Sequence, residues 1–152
     1  MNSIVIGCDN AAVNLKNALV DMLRKENYEV EDVGTFSKDD DIVYPLIAEQ
    51  VCHKIAESNF MKRGVLVCGT GIGMCMTANK VKGIRAAVCH DIFSAQRSIL
   101  SNNGNVICFG ERVIGEELAK TILREWVKLK FVDGPSTPKV QEIINVESRN
   151  FV

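Results

Sequence analysis

The chain has 152 residues, 47% hydrophobic and 24% charged, with 18 basic against 19 acidic side chains and a net charge of −1. That length suits one domain able to bury its own core, so residues 1–152 are expected to form a single unit. The even charge argues against a nucleic-acid or anionic-membrane surface; no apolar run approaches the roughly 18 residues of a membrane span, and a soluble cytoplasmic protein is expected.

In chain order, the apolar run SIVIGC (3–8) is followed by AAVNLKNALVDMLRKE (11–26), where Leu15, Ala18, Leu19, Met22 and Leu23 recur at helical spacing as one buried face. YEVEDVG (28–34) and YPLIAEQVCHKIAES (44–58) repeat the alternation, with His53 read as a surface or interface residue. RGVLVCG (63–69) leads into a helix through MTANK (76–80), IRAAVC (84–89) into SAQRSILSN (94–102), and NVICFG (105–110) into GEELAKTILREWVKLK (115–130). Five strand–helix units with near-continuous apolar strands predict an α/β fold. Its core is a doubly wound, five-stranded parallel sheet sandwiched by helices, Rossmann-like. The turn signal DGPSTP (133–138) precedes KVQEIINVE (139–147), read as a C-terminal helical extension.

The cysteines at 8, 52, 68, 75, 89 and 108 form no metal-ligand spacing, and His53 and His90 add none, so no metal site is expected. Cys8, Cys68, Cys89 and Cys108 lie in or at the ends of apolar runs, as small buried hydrophobes do, which indicates a reducing compartment. Ligands of open parallel sheets bind beyond the carboxyl ends of the strands. The candidates are therefore Gly7 to Asn10, Cys68 to Gly73, and Gly110 to Arg112.

The segment VLVCGTGIGM (65–74) places Gly69, Gly71 and Gly73 at alternate positions directly after a strand-terminal thiol. A dinucleotide fingerprint needs a third glycine where this chain has Met74 or Met76, and no Lys-Ser or Lys-Thr follows, so a nucleotide cradle fits poorly. The other reading is an anion hole of backbone amides beside Cys68, whose thiolate a helix N-terminus favours. Without that, Cys68 is a buried strand-end cysteine. Asp9 is either an N-cap for a helix beginning near Ala11 or an acceptor for polyol hydroxyls; Arg112 is either a surface charge or an anion clamp; Lys139 alone reads as a solvated charge.

The run VLVCGTGIGMCMTANKVKGIRAAVCHDIFSAQRS, with IVIGCD at the start, VYP at 43–45 and GERVIG at 110–115, resembles the ribose-5-phosphate isomerase type B and galactose-6-phosphate isomerase family from residue 3 to about 145. The resemblance implies a metal-free, cofactor-free aldose–ketose isomerase acting on a sugar phosphate through a cis-enediol. Cys68 would be the base, the amides from Gly69 through Gly71 to Gly73 would hold the enediolate oxygen, and Thr70 would relay hydroxyl protons. It further implies that Asp9, Asn10, Tyr44, Ser101 and Asn102 line the sugar site and that Arg112 and Lys139 meet the phosphate. The expected assembly is a homodimer or homotetramer with sites at the subunit interface.

The sequence also departs from the family pattern. Asn10 and Ser101 stand where the family has histidines, the second associated with opening the sugar ring, and DGPSTPK replaces a two-arginine segment, leaving Pro135 and Lys139. A tetrose 4-phosphate cannot close a furanose ring, because its O4 carries the phosphate, so an erythrulose 4-phosphate isomerase would not need that histidine. Two rival readings remain: the cysteine-bearing subunit of a galactose-6-phosphate isomerase, and a nucleotide-binding flavodoxin-like module.

Overall fold

The computed structural model describes residues 3–151. In chain order the elements are β1 (Ser3–Cys8), α1 (Val13–Lys25), β2 (Glu29–Asp32), α2 (Tyr44–Glu57), β3 (Arg63–Cys68), α3 (Ile72–Ala78), β4 (Ala86–Val88), α4 (Ile92–Leu100), β5 (Val106–Gly110), α5 (Glu116–Lys128) and α6 (Thr137–Asn150). The five strands form one all-parallel sheet in the order β2-β1-β3-β5-β4, as the alternation of short apolar runs and helices predicts.

The layers follow from chain handedness. Right-handed crossovers that step leftward along this order, β1 to β2 and β4 to β5, place α1 and α4 on one face, where α5 joins them; the rightward steps β2 to β3 and β3 to β4 place α2 and α3 on the other. The two-residue period of the strands divides the core accordingly. Ile4, Ile6, Val65, Val67, Ile107 and Phe109 face α1, α4 and α5, whereas Val5, Leu66, Cys68, Val106 and Cys108 face α2 and α3. The connection from β1 steps one way along the sheet and the connection from β3 the other, which makes the crevice beyond their carboxyl ends the switch point where such sheets hold ligands.

Several element boundaries differ from the sequence expectation. Asp9 is not the N-cap of α1: its Oδ1 accepts the Ala11 N–H at 3.0 Å in a local turn, and the helix begins at Val13. On α1, Leu15, Leu19, Met22 and Leu23 are buried, but Ala18 is half-exposed in a groove shared with α5, and Lys16 is fully buried instead. Its Nζ donates to Asp32 Oδ2 at 2.7 Å and lies 4.6 Å from the centre of the Phe36 ring, contacts that offset the cost of burying it.

Strand β4 keeps only three residues of its predicted six. Asn105 Oδ1 accepts the Arg85 N–H and Asn79 Oδ1 the Ala86 N–H, both at 2.8 Å, so side chains take part of the work of a ladder. Asn79 caps α3, which therefore ends before the expected lysine. Helix α6 starts two residues early, with Pro138 in its first turn, where no amide donor is required.

Candidate active site

The exits of β1, β3 and β5 converge on an open cavity of about 480 Å³ lined by Asp9, Asn10, Tyr44, Cys68, Gly69, Thr70, Gly73 and Arg112, together with Ala11, Ile72 and Met76. Cys68, the last residue of β3, is 5% exposed. Its Sγ accepts the Gly71 N–H at 3.1 Å. Gly71 makes this geometry by adopting φ +79° as the N-cap of α3, and a Cβ there would lie 2.9 Å from the Phe109 carbonyl carbon. The glycine alternation thus lets the loop turn back over the thiol, and the amide a nucleotide cradle would have left free is spent on sulfur.

The neighbouring glycines are required by contact rather than torsion. A Cβ on Gly73 would run into the Tyr44 ring, which stands at the start of α2 with Pro45 behind it. A Cβ on Gly69 would lie 3.1 Å from Arg112 Nη1, so the guanidinium lies over the loop. Thr70 is exposed and its Oγ1 accepts the Ile72 N–H at 3.3 Å. Among the described residues Arg112 enters no ion pair, which leaves its fork available at the cavity rim.

Two backbone bonds lock the β5 exit onto the thiol loop: Glu111 N–H to the Cys68 carbonyl at 2.9 Å and Arg112 N–H to the Gly69 carbonyl at 3.0 Å. Glu111 Oε1 also accepts the Leu15 N–H of α1 at 2.9 Å, joining the β5 exit to the helix that follows β1. Glu111 falls within the strand-exit segment Gly110 to Arg112, but no local sequence pattern signals a bond that spans 96 positions.

The other thiols divide by environment. Burial pushes Cys8 and Cys52 up to about 12 and Cys89 to about 11, and Cys108, fully enclosed, well above the ordinary thiol range. They are inert packing residues, as expected for Cys8, Cys89 and Cys108. Cys75 on α3 differs, because a hydrogen bond from the Cys108 thiol lowers it to about 7 against the cost of burial. All six are free thiols.

Ser101, Asn102 and Lys139 do not line this cavity. Ser101 and Asn102 close the far end of α4, where Ser101 Oγ accepts from Arg97 Nη1 at 3.1 Å and Asn102 Nδ2 donates to the Arg97 carbonyl at 2.8 Å. Lys139 is exposed in the first turn of α6. Of the proposed residues, those on strand exits and at the start of α2 meet within one chain, and those on α4 and α6 remain apart.

Fold and cavity together define an open α/β protein with a cleft at its topological switch point, the place where such sheets hold small ligands. Comparison with known proteins narrows the class to isomerases of phosphorylated sugars. Residues 4–143 match the family model described as Ribose/Galactose Isomerase. The chain is 49% identical over 143 residues to D-erythrulose-4-phosphate isomerase of Pectobacterium atrosepticum, covering 94% of this chain and 93% of that protein. It is 47% identical over 147 residues to D-erythrulose-4-phosphate isomerase 2 of Mycolicibacterium smegmatis, covering 95% and 96% respectively. Ribose-5-phosphate isomerase B of Mycoplasma genitalium, solved with bound ribulose-5-phosphate, superposes with a TM-score of 0.92 at 30% identity, covering 97% of both chains. The chain belongs to the ribose/galactose isomerase family, and it is a sugar-phosphate isomerase.

Proposed function

We propose that residues 1–152 act as a single domain interconverting D-erythrulose 4-phosphate and its aldose, with Cys68 as the base. The thiolate removes a proton from the carbon beside the carbonyl, the electron pair moves onto the carbonyl oxygen to give a cis-enediolate, and the proton returns to the neighbouring carbon. Amides of the Gly69–Gly73 loop other than those of Gly71, held by Cys68 Sγ, and Ile72, held by Thr70 Oγ1, stabilise the oxyanion, and Thr70 carries the hydroxyl proton between O1 and O2. Asp9, Asn10 and Tyr44 hold the sugar hydroxyls, and Arg112 takes the phosphate. The observation that carries this reading is the 3.1 Å contact of the Gly71 amide with Cys68 Sγ at a cavity rimmed by Arg112, whose guanidinium enters no ion pair among the described residues.

Two features favour the tetrose over ribose 5-phosphate. Asn10 and Ser101 occupy the histidine positions, so neither supplies an imidazole for opening a sugar ring. The two relatives quoted at 49% and 47% identity both carry the tetrose phosphate in their names.

The reading includes a second copy of the chain. Val43 (60% exposed), Leu46 (59%), Ile72 (51%) and Met76 (67%) are exposed apolar side chains on the elements that carry Tyr44 and the thiol loop, surface suited to a second copy. A homodimer or homotetramer packed there brings Ser101, Asn102 and Lys139 of one copy toward the cavity of another. Six free thiols suit a reducing cytoplasm.

The test assays phosphorylated tetroses, pentoses and hexoses in both directions with the purified chain and with Ser101→His. The expected result is a higher kcat/KM for D-erythrulose 4-phosphate than for ribose 5-phosphate, with Ser101→His raising chiefly pentose turnover, by up to roughly 10²–10⁴-fold. Efficient ribose 5-phosphate turnover with inert tetroses would return the assignment to a pentose phosphate isomerase. Activity that appears only after adding a different chain would indicate the cysteine-bearing subunit of a hetero-oligomer.

A further inference from the structure

His90 lies where β4 has ended and α4 has not begun, half-buried with its ring stacked on Phe109 of β5 at a centroid distance of 6.4 Å. Along the shared edge, the even-numbered residues of β5 turn their backbone groups toward β4: Val106 N–H goes to the Arg85 carbonyl, and the Cys108 carbonyl accepts from Cys89 N–H. The next donor on that edge is Gly110 N–H, and β4 stops at Val88 before offering it a carbonyl. His90 Nε2 accepts it instead, at 2.9 Å. A side chain that gains and loses protons near neutrality therefore completes the ladder.

Gly110 is a sensitive place to anchor. It pairs with Cys68 across the β3–β5 ladder, and a Cβ on it would lie 2.6 Å from Thr70 Cα, so its backbone packs directly against the loop after the thiol. The next two residues, Glu111 and Arg112, donate to the carbonyls of Cys68 and Gly69. We propose that His90 is a positioning residue: by accepting the Gly110 N–H it holds the end of β5 against the Cys68–Thr70 loop and aims Arg112 at the substrate phosphate. This rests on the reading of Arg112 given above. The bond requires Nε2 unprotonated, so the proton of the neutral ring sits on Nδ1.

Charge on the ring removes the acceptor. Burial lowers the pKa of His90 from its ordinary value of 6.5, and Asp91, the charged neighbour that acts on it, partly opposes that. From β5 the ring meets Phe109 and the Gly110 amide, neither of which titrates. The neutral acceptor is therefore complete above pH 6.5 and is lost as pH falls through the lowered pKa. The substrate phosphate also titrates near pH 6, so the comparison must be between variants given the same substrate.

The experiment measures KM and kcat for D-erythrulose 4-phosphate between pH 5 and 8 in the wild type, His90→Ala and His90→Gln. It also follows amide hydrogen exchange of Gly110, Glu111 and Arg112 in the substrate-free proteins. Glutamine presents an amide oxygen near the reach of Nε2 and carries no charge at any pH. Expected are a roughly tenfold higher KM in His90→Ala at pH 7.5 with kcat less affected, and faster exchange at Gly110. His90→Gln should stay within about twofold of wild type at pH 7.5 and lack the part of the acid-side rise in KM that His90 contributes. Wild-type KM and Gly110 exchange in His90→Ala would overturn the proposal, as would identical pH profiles for wild type and His90→Gln. If the wild type isomerises no sugar phosphate, the functional reading fails, and the Gly110 exchange rates still decide the role of His90.

Discussion

The residues proposed for the site fall into two groups built in opposite ways. Asp9, Tyr44, Cys68, Gly69, Thr70, Gly71, Gly73 and Arg112 sit at strand exits or at the start of α2, held by a sheet whose core side chains are almost wholly buried. Ser101, Asn102 and Lys139 sit at the end of α4 and the start of α6; Asn102 and Lys139 are exposed, and the side chains of Ser101 and Asn102 hydrogen-bond to Arg97 of α4. The first group is tied to the sheet by strand register and by the bonds of Glu111 and Arg112 to the thiol loop. The second lies away from the strand-exit cavity, with Asn102 on the wall of a separate cavity between α4 and α6. Chemistry that needs sub-ångström placement falls to the first group, and contacts that complete or select the substrate fall to surfaces a second copy can supply.

Removing the thiol breaks the first group. Cys68→Ala should fold normally and still bind sugar phosphate, while kcat falls about 10²-fold or more, the usual scale for loss of a general base. Steady-state kinetics with calorimetric binding measure both, and near-normal turnover would remove Cys68 from the mechanism.

Mixing broken halves sharpens the comparison. A chain carrying both Asn102→Ala and Lys139→Ala should be poorly active alone. Unfolded and refolded together with Cys68→Ala chains, half of the resulting dimers should be hybrids with one intact site of two, restoring about a quarter of wild-type activity. No recovery in a mixture proven to contain hybrids would place both groups in one chain.

The smallest effects concern the phosphate. Arg112→Ala should raise KM at least about tenfold, as loss of a charge-assisted bidentate contact does, and Lys139→Ala severalfold less, since an ammonium is a point charge on a flexible stem. Both increases should shrink with added salt, and an unchanged KM in the two variants would place the phosphate elsewhere.

Much of the first group was legible in the sequence because its signals are local. A strand-ending thiol followed by glycines at alternate positions already implies a backbone turning closely over something, and Gly71 at φ +79° with its amide on Cys68 is that turn. Asp9 was harder to place. An acidic residue before a helix reads equally as a cap, and only the Ala11 contact and the helix start at Val13 put it on the cavity wall.

Apolar period and chain alternation determined the parallel sheet, its two helical layers and the location of a site at the strand exits, since buried strands and right-handed crossovers admit few other arrangements. The tertiary structure alone decided which distant groups meet: Lys16 with Asp32, Glu111 with Leu15, and His90 with Gly110. Each is a polar group that had to find a partner on leaving water, and which partner lies within 3 Å depends on strand order and on where β4 stops, quantities to which no short window of sequence is sensitive.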